Sequence, residues 1–99
     1  MIHNKFKVVD GVPTGGSTTS VGIHIEWHDS SKSNDQNGAY PSDVIEAVRS
    51  RLEFLNDENT GFNCAENDRV ITLLKGAEDL INIRLDRREE QGKATCEPE

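Results

Sequence analysis

A chain of 99 residues makes one small domain, and at that size folding buries only about two-thirds of the surface the unfolded chain exposes. Its formal charge of -7 excludes general binding to nucleic acid or to anionic membranes, since both need a basic footprint to displace counterions. With 33% hydrophobic and 29% charged residues the core is thin for a chain standing alone, so an oligomer that shares a core between subunits is expected.

The pattern along the chain predicts an α+β protomer: a small N-terminal antiparallel sheet followed by a two-helix hairpin with a long C-terminal helix. All of it is read as a single domain, 1–99, with residues 1–40 β-rich, 41–93 the helical hairpin and 94–99 a flexible tail. "KFKVVDG" (5–11) alternates weakly and ends in the turn pair Asp-Gly. "GVPTGGSTTS" (11–20) follows as a Gly, Ser and Thr connection; it lacks the Gly-Lys-Ser/Thr ending of a phosphate-cradling loop and is not followed by a helix. "SVGIHIEWHD" (20–29) alternates well, with Val21, Ile23, Ile25 and Trp27 on one face and Gly22, His24, Glu26 and His28 on the other. Two imidazoles and a carboxylate on one strand face are a conceivable zinc set, although such a face is ordinarily the solvated side of a sheet.

Beyond a polar loop the period becomes helical. "YPSDVIEAVRSRLEFLND" opens on Pro41, Ser42 and Asp43, which suit a first turn, and sets Val44, Ile45, Val48, Leu52 and Leu55 on one stripe. "NDENTG" interrupts it. Asn63 and Glu66 then stand at capping-box spacing ahead of a helix that, unbroken to Gln91, is roughly 40 Å long. That length exceeds what a globule of this size covers, so the helix is expected to pack against a partner's.

Its stripe of Val70, Leu74, Ala77 and Ile81 continues into Arg84 and Arg88 downstream and Asn67 upstream. Arg84 and Arg88 stand one turn apart, so their guanidinium forks can converge on one phosphate or diphosphate. A plain alternative is a helix leaving the core, its arginines complementing the macrodipole and pairing with Asp86 and Glu89. Asn67 and Arg84 are about 25 Å apart along a helix, so a small ligand touching both needs two subunits.

"RLEF" (51–54), "FNCAEN" opening a helix, Arg84, Arg88 and Gly92 together resemble small phage and prophage proteins of the Thoeris anti-defence sponge family, and, over the last helix, the related anti-CBASS sponges. The likeness covers roughly residues 21–93. Leu85 follows Arg84 and Gln91 precedes Gly92 where the family pattern has Thr and Arg. The resemblance implies a non-enzymatic protein of the infected bacterial host's cytoplasm. It would hold cyclic ADP-ribose isomers, and in some members cyclic oligonucleotides, without cleaving them. It also implies a dimer or hexamer with the site shared between subunits, and no cofactor. Carried over, Phe54 would stack on the adenine, with Phe62 as the rival aromatic, Asn67 would hydrogen-bond base or ribose, and Arg84 and Arg88 would meet the diphosphate.

Two other classes stand beside this one: a metal-dependent phosphodiesterase using His24, Glu26 and His28, and a purely structural phage assembly protein. No nucleophile with a base and no paired carboxylates at a defensible spacing point to catalytic residues. Cys64 and Cys96, without C-x-x-C spacing, imply neither a disulfide framework nor a zinc site, and reduced thiols in a cytosolic protein are expected. No stretch has the apolar length of a signal peptide core or a membrane span.

Overall fold

A computed structural model describes residues 1–31 and 36–90, the last three of these by their backbone alone. Three antiparallel strands, β1 (His3–Val9), β2 (Val12–Ser20) and β3 (Ile23–Glu26), precede two helices, α1 (Pro41–Leu55) and α2 (Ala65–Glu90), giving an α+β chain. Met1–Tyr40 belongs to one compact unit and Pro41–Arg87 forms the other. Cys96 and the expected tail lie outside the described residues.

In the sheet, β2 is central, pairing with β1 on one side and β3 on the other. Asp10 and Gly11 join β1 to β2 with φ of 50° and 78°, the doubly positive geometry that an Asp-Gly hairpin turn adopts. The expected connection at 11–20 is thus a strand. Its polar, glycine-containing sequence carries no apolar alternation, yet it is held by hydrogen bonds along both edges. Gly16 is required there: it pairs with Phe6 at φ 112°, and a Cβ would run into the carbonyl oxygen of Lys5. The β1 register slips beside it, between Phe6 and Val8.

The strand expected at 20–29 is shorter, because Val21 and Gly22 (φ 81°) form the second hairpin turn, leaving Val21 fully exposed. Ile25 and Trp27 remain half-buried. A hydrogen-bond chain crosses the sheet on their face: Trp27 Nε1 donates to Thr18 Oγ1 at 2.7 Å, and Thr18 Oγ1 donates to Asn4 Oδ1, also at 2.7 Å. Thr18 is only 8% exposed. Thr18→Val keeps the shape but strands the indole N–H and the Asn4 carbonyl oxygen, and should cost about 1 to 3 kcal/mol. Urea unfolding followed by the fluorescence of the single tryptophan checks this; an unchanged midpoint would mean that the chain of bonds contributes nothing.

In the helical unit, Pro41 opens α1, where its missing N–H costs nothing. Val44, Ile45, Leu52 and Leu55 are half-buried as the stripe requires, but Val48 is 45% exposed. The neighbouring Arg49 takes the inner position. Its Nε donates to Glu78 of α2 at 2.7 Å and its Nη1 to Glu53 at 2.8 Å. The bond to Glu78 holds the guanidinium's pKa above its ordinary value, against the opposing effect of burial. Lys75 reaches Glu53 at 3.7 Å, and Asn56 Nδ2 donates to Asp68 at 2.6 Å.

On α2 the expected stripe is half-buried at Leu74, Ala77 and Ile81 but not at Val70, whose place is taken by the next residue. Ile71, 9% exposed, is the most buried apolar side chain among the described residues, whereas Val70 is 40% exposed. The connection holds a 3-10 turn (Glu58–Thr60), capped by Asp57 and closed by Gly61 at φ 80°. The helix start also differs from the capping box expected at Asn63 and Glu66. Cys64 is the capping residue, its Sγ accepting from Asn67 N at 3.4 Å while its own N–H donates to Asn56 Oδ1 at 3.0 Å. Among the described residues no helix is long and apolar enough to cross a membrane.

Candidate functional site

Phe54 lies in the last turn of α1 and is 59% exposed. The guanidinium of Arg51, one turn earlier, sits 5.1 Å from its ring centroid. That is within cation-π range and holds the ring as a wet-sided platform. Phe62, 67% exposed, follows the left-handed Gly61 in the connection. Both aromatics offered for base stacking are therefore accessible, and they flank the same end of the hairpin.

Asn67 is half-buried in the first turn of α2, its Nδ2 donating to the Phe62 carbonyl at 3.0 Å. Sequence spacing placed it on the stripe but gave no sign of this second duty, which ties the connection to the helix start. Arg84 is half-buried near the other end of α2 and makes no ion pair with a described side chain. Arg88 follows one turn later on the helix backbone; its side chain lies outside the described residues. Within one chain Asn67 is about 25 Å from Arg84 along the helix axis, so a protomer brings Phe54 and Asn67 to one end and the arginines to the other.

A cleft of about 340 Å³ was not foreseen, because its walls are far apart in sequence: Ser42, Glu46 and Arg49 from α1, and Glu78, Asp79 and Asn82 from α2. Three carboxylates surround one guanidinium, and that guanidinium is already bonded to Glu78 and Glu53. Such a lining repels phosphate and suits hydrogen-bond donors, so the cleft is not the anion site that Arg84 and Arg88 suggest.

On β3, His24 Nε2 and Glu26 Oε1 are 2.8 Å apart, both exposed, as alternation requires. His28 does not join them. It lies beyond the end of the strand, 5% exposed, its ring 4.7 Å from that of Tyr40, and its Nδ1 accepts from Asn37 N at 3.3 Å. With Nδ1 so engaged, the neutral ring carries its proton on Nε2. Among the described residues no three His, Cys, Asp or Glu side chains come together in a group able to hold a metal. The backbone after Glu26 still hydrogen-bonds to β2 through Trp27 N and Ser30 N, but His28 is covered by the 37–40 segment while His24 and Glu26 stay open to solvent. No family model matches this chain, and no curated protein or solved structure matches it.

Proposed function

We propose that the protein binds a cyclic nucleotide immune signal, a cyclic ADP-ribose isomer or a cyclic oligonucleotide, and sequesters it without cleavage, as the phage anti-defence sponges it resembles do. The observation that carries this reading is the placement of Arg84 and Arg88 one turn apart on α2, in a chain whose net charge of -7 otherwise repels anions. Two guanidinium forks on one face suit a compact diphosphate, while the general acidity disfavours DNA and RNA. The exposed Phe54, with Arg51 over its ring, supports the stacking half of the site. Because arginines and aromatic lie at opposite ends of the hairpin, the complete site takes one end from each of two subunits in a homo-oligomer, a dimer or a hexamer. The setting is the cytoplasm of an infected bacterium, and no cofactor takes part.

Thermal unfolding with and without ligand tests this. A cyclic ADP-ribose isomer or a cyclic di- or trinucleotide at 100 times its Kd should stabilise the protein by about 2.7 kcal/mol. Arg88→Ala should remove most of that gain while leaving the melting temperature of the free protein unchanged. If no member of either nucleotide class shifts the wild-type transition, the reading fails and an assembly role without ligand takes its place.

A further inference from the structure

We propose that Asn37 is a site of spontaneous covalent change, converting through a cyclic imide with Gly38 to aspartate and isoaspartate, and that the conversion irreversibly releases the segment 37–40 from the end of the sheet. Asparagine is a thermally labile side chain. Attack on it by the next backbone nitrogen is least hindered when that nitrogen belongs to glycine, which has no Cβ in the way. Asn37 is the only asparagine in the chain that glycine follows. It is exposed to water, and the Gly38 N–H makes no hydrogen bond to a described residue, so the attacking nitrogen is not otherwise engaged.

The fold imposes this reactive pair. A Cβ on Gly38 would lie 2.7 Å from the carbonyl carbon and oxygen of Trp27 and 2.8 Å from His28 N, all of them backbone, so only glycine lets Trp27 and Ala39 form their bridge. Asn37 is held as specifically. Its Oδ1 accepts from Asp29 N at 2.8 Å and its Nδ2 donates to Asp29 O at 3.1 Å, so the side-chain amide pairs with Asp29 as a neighbouring strand would. Its own N–H donates to His28 Nδ1 at 3.3 Å. Next to these bonds Ala39 N donates to Glu26 O at 2.7 Å and His28 N to Ala39 O at 3.0 Å, and the His28 ring lies covered beside Tyr40.

While Asp29 engages both polar atoms of the amide, Cγ is kept from turning onto Gly38 N, and reaction waits for a local opening. Closure strands the buried His28 Nε2, which has no hydrogen-bond partner among the described residues, and opening to water relieves it. In the open state Gly38 N, giving up its proton to solvent, forms a bond to Asn37 Cγ; the Cγ–Nδ2 bond breaks and ammonia leaves. Water then adds to one of the two imide carbonyls. Ring opening at Cγ gives aspartate, and opening at the main-chain carbonyl gives isoaspartate, whose backbone runs through the former side chain. Neither product closes as before. A carboxylate only accepts, so the oxygen that replaces Nδ2 faces Asp29 O, acceptor against acceptor. Isoaspartate also adds a carbon to the main chain between the bond to His28 and the bridge at Ala39.

The experiment is peptide mapping by mass spectrometry of the full chain aged in mildly alkaline buffer, folded in one sample and in urea in the other, with isoaspartate identified by fragmentation. Both products are expected at position 37. In urea this position should convert faster than any other asparagine, and in the folded protein about tenfold more slowly or less, since only the opened fraction reacts. Asn37→Asp supplies the carboxylate without ageing. In it the His28 and Ala39 amides should exchange hydrogen about tenfold faster than in the wild type, with the amides shared by β1 and β2 unchanged. Aspartate without isoaspartate would mean direct hydrolysis and overturn the cyclic imide, as would a rate in urea no higher than at the other asparagines. Conversion as fast folded as unfolded would overturn the protection by Asp29. Unchanged exchange at His28 and Ala39 in Asn37→Asp, or protection lost throughout the sheet, would overturn the local release.

Discussion

Gly16→Ala is expected to unfold the N-terminal sheet, with a loss of about 3 kcal/mol or more. Two costs coincide at this position. The backbone holds φ at 112°, outside every region that an L side chain adopts readily, and the added methyl would meet the carbonyl oxygen of Lys5 on the paired strand. Backbone cannot step aside as a flexible side chain can, so relief requires breaking the β1 to β2 ladder at Phe6. Gly11→Ala is the control. It also has a positive φ, 78°, but nothing lies within 4 Å of its would-be Cβ, so about 1 kcal/mol is expected. Urea titration with fluorescence from Trp27 reads the sheet directly. Equal midpoints for the two variants would show that the Lys5 contact is not what fixes the strand.

Ile71→Ala is expected to destabilise the helical unit by about 2 to 4 kcal/mol, and Ile71→Val by about 0.5 to 1.5. At 9% exposure Ile71 is the best-buried apolar group among the described residues. It sits one turn before Lys75 and two before Glu78, both of which reach α1. With so few buried apolar groups, little neighbouring core is available to collapse into the cavity. Val48→Ala, at a site 45% exposed, should cost within about 0.5 kcal/mol beyond its small loss in side-chain area. Far-UV circular dichroism through a denaturant series orders the three variants, and an Ile71→Ala midpoint equal to that of Val48→Ala would contradict the assignment of the inner face.

The division into a sheet followed by two helices was legible because two periods, two and 3.6, dominate different halves of the chain. What escaped had identifiable causes. β2 is polar and rich in glycine, so its strand state is set by pairing on both edges rather than by alternation. Val21 continued an apolar alternation perfectly well but preceded a glycine that turns the chain. On α1, Arg49 took an inner place from Val48 because Glu78, 29 residues later, is there to receive it. The cap moved from Asn63 to Cys64 because a thiol can accept a hydrogen bond where a side-chain amide was expected to.

The candidate site shows the same limits. Helical spacing was enough to put Arg84 and Arg88 on one face and to separate them from Asn67. It did not show that the Asn67 amide is engaged by the Phe62 carbonyl, or that Arg51 covers one side of Phe54. Both depend on the local path of the connection. The acidic cleft between α1 and α2 was invisible for a different reason, since no short stretch contains its walls.

Sequestration itself is tested most directly by incubating the protein with a cyclic ADP-ribose isomer, removing free ligand by filtration, denaturing the retained protein by heat and identifying what is released by mass spectrometry. The account predicts that the ligand is retained with the protein and released chemically intact. Ligand that passes the filter unbound, or that emerges hydrolysed, would contradict it.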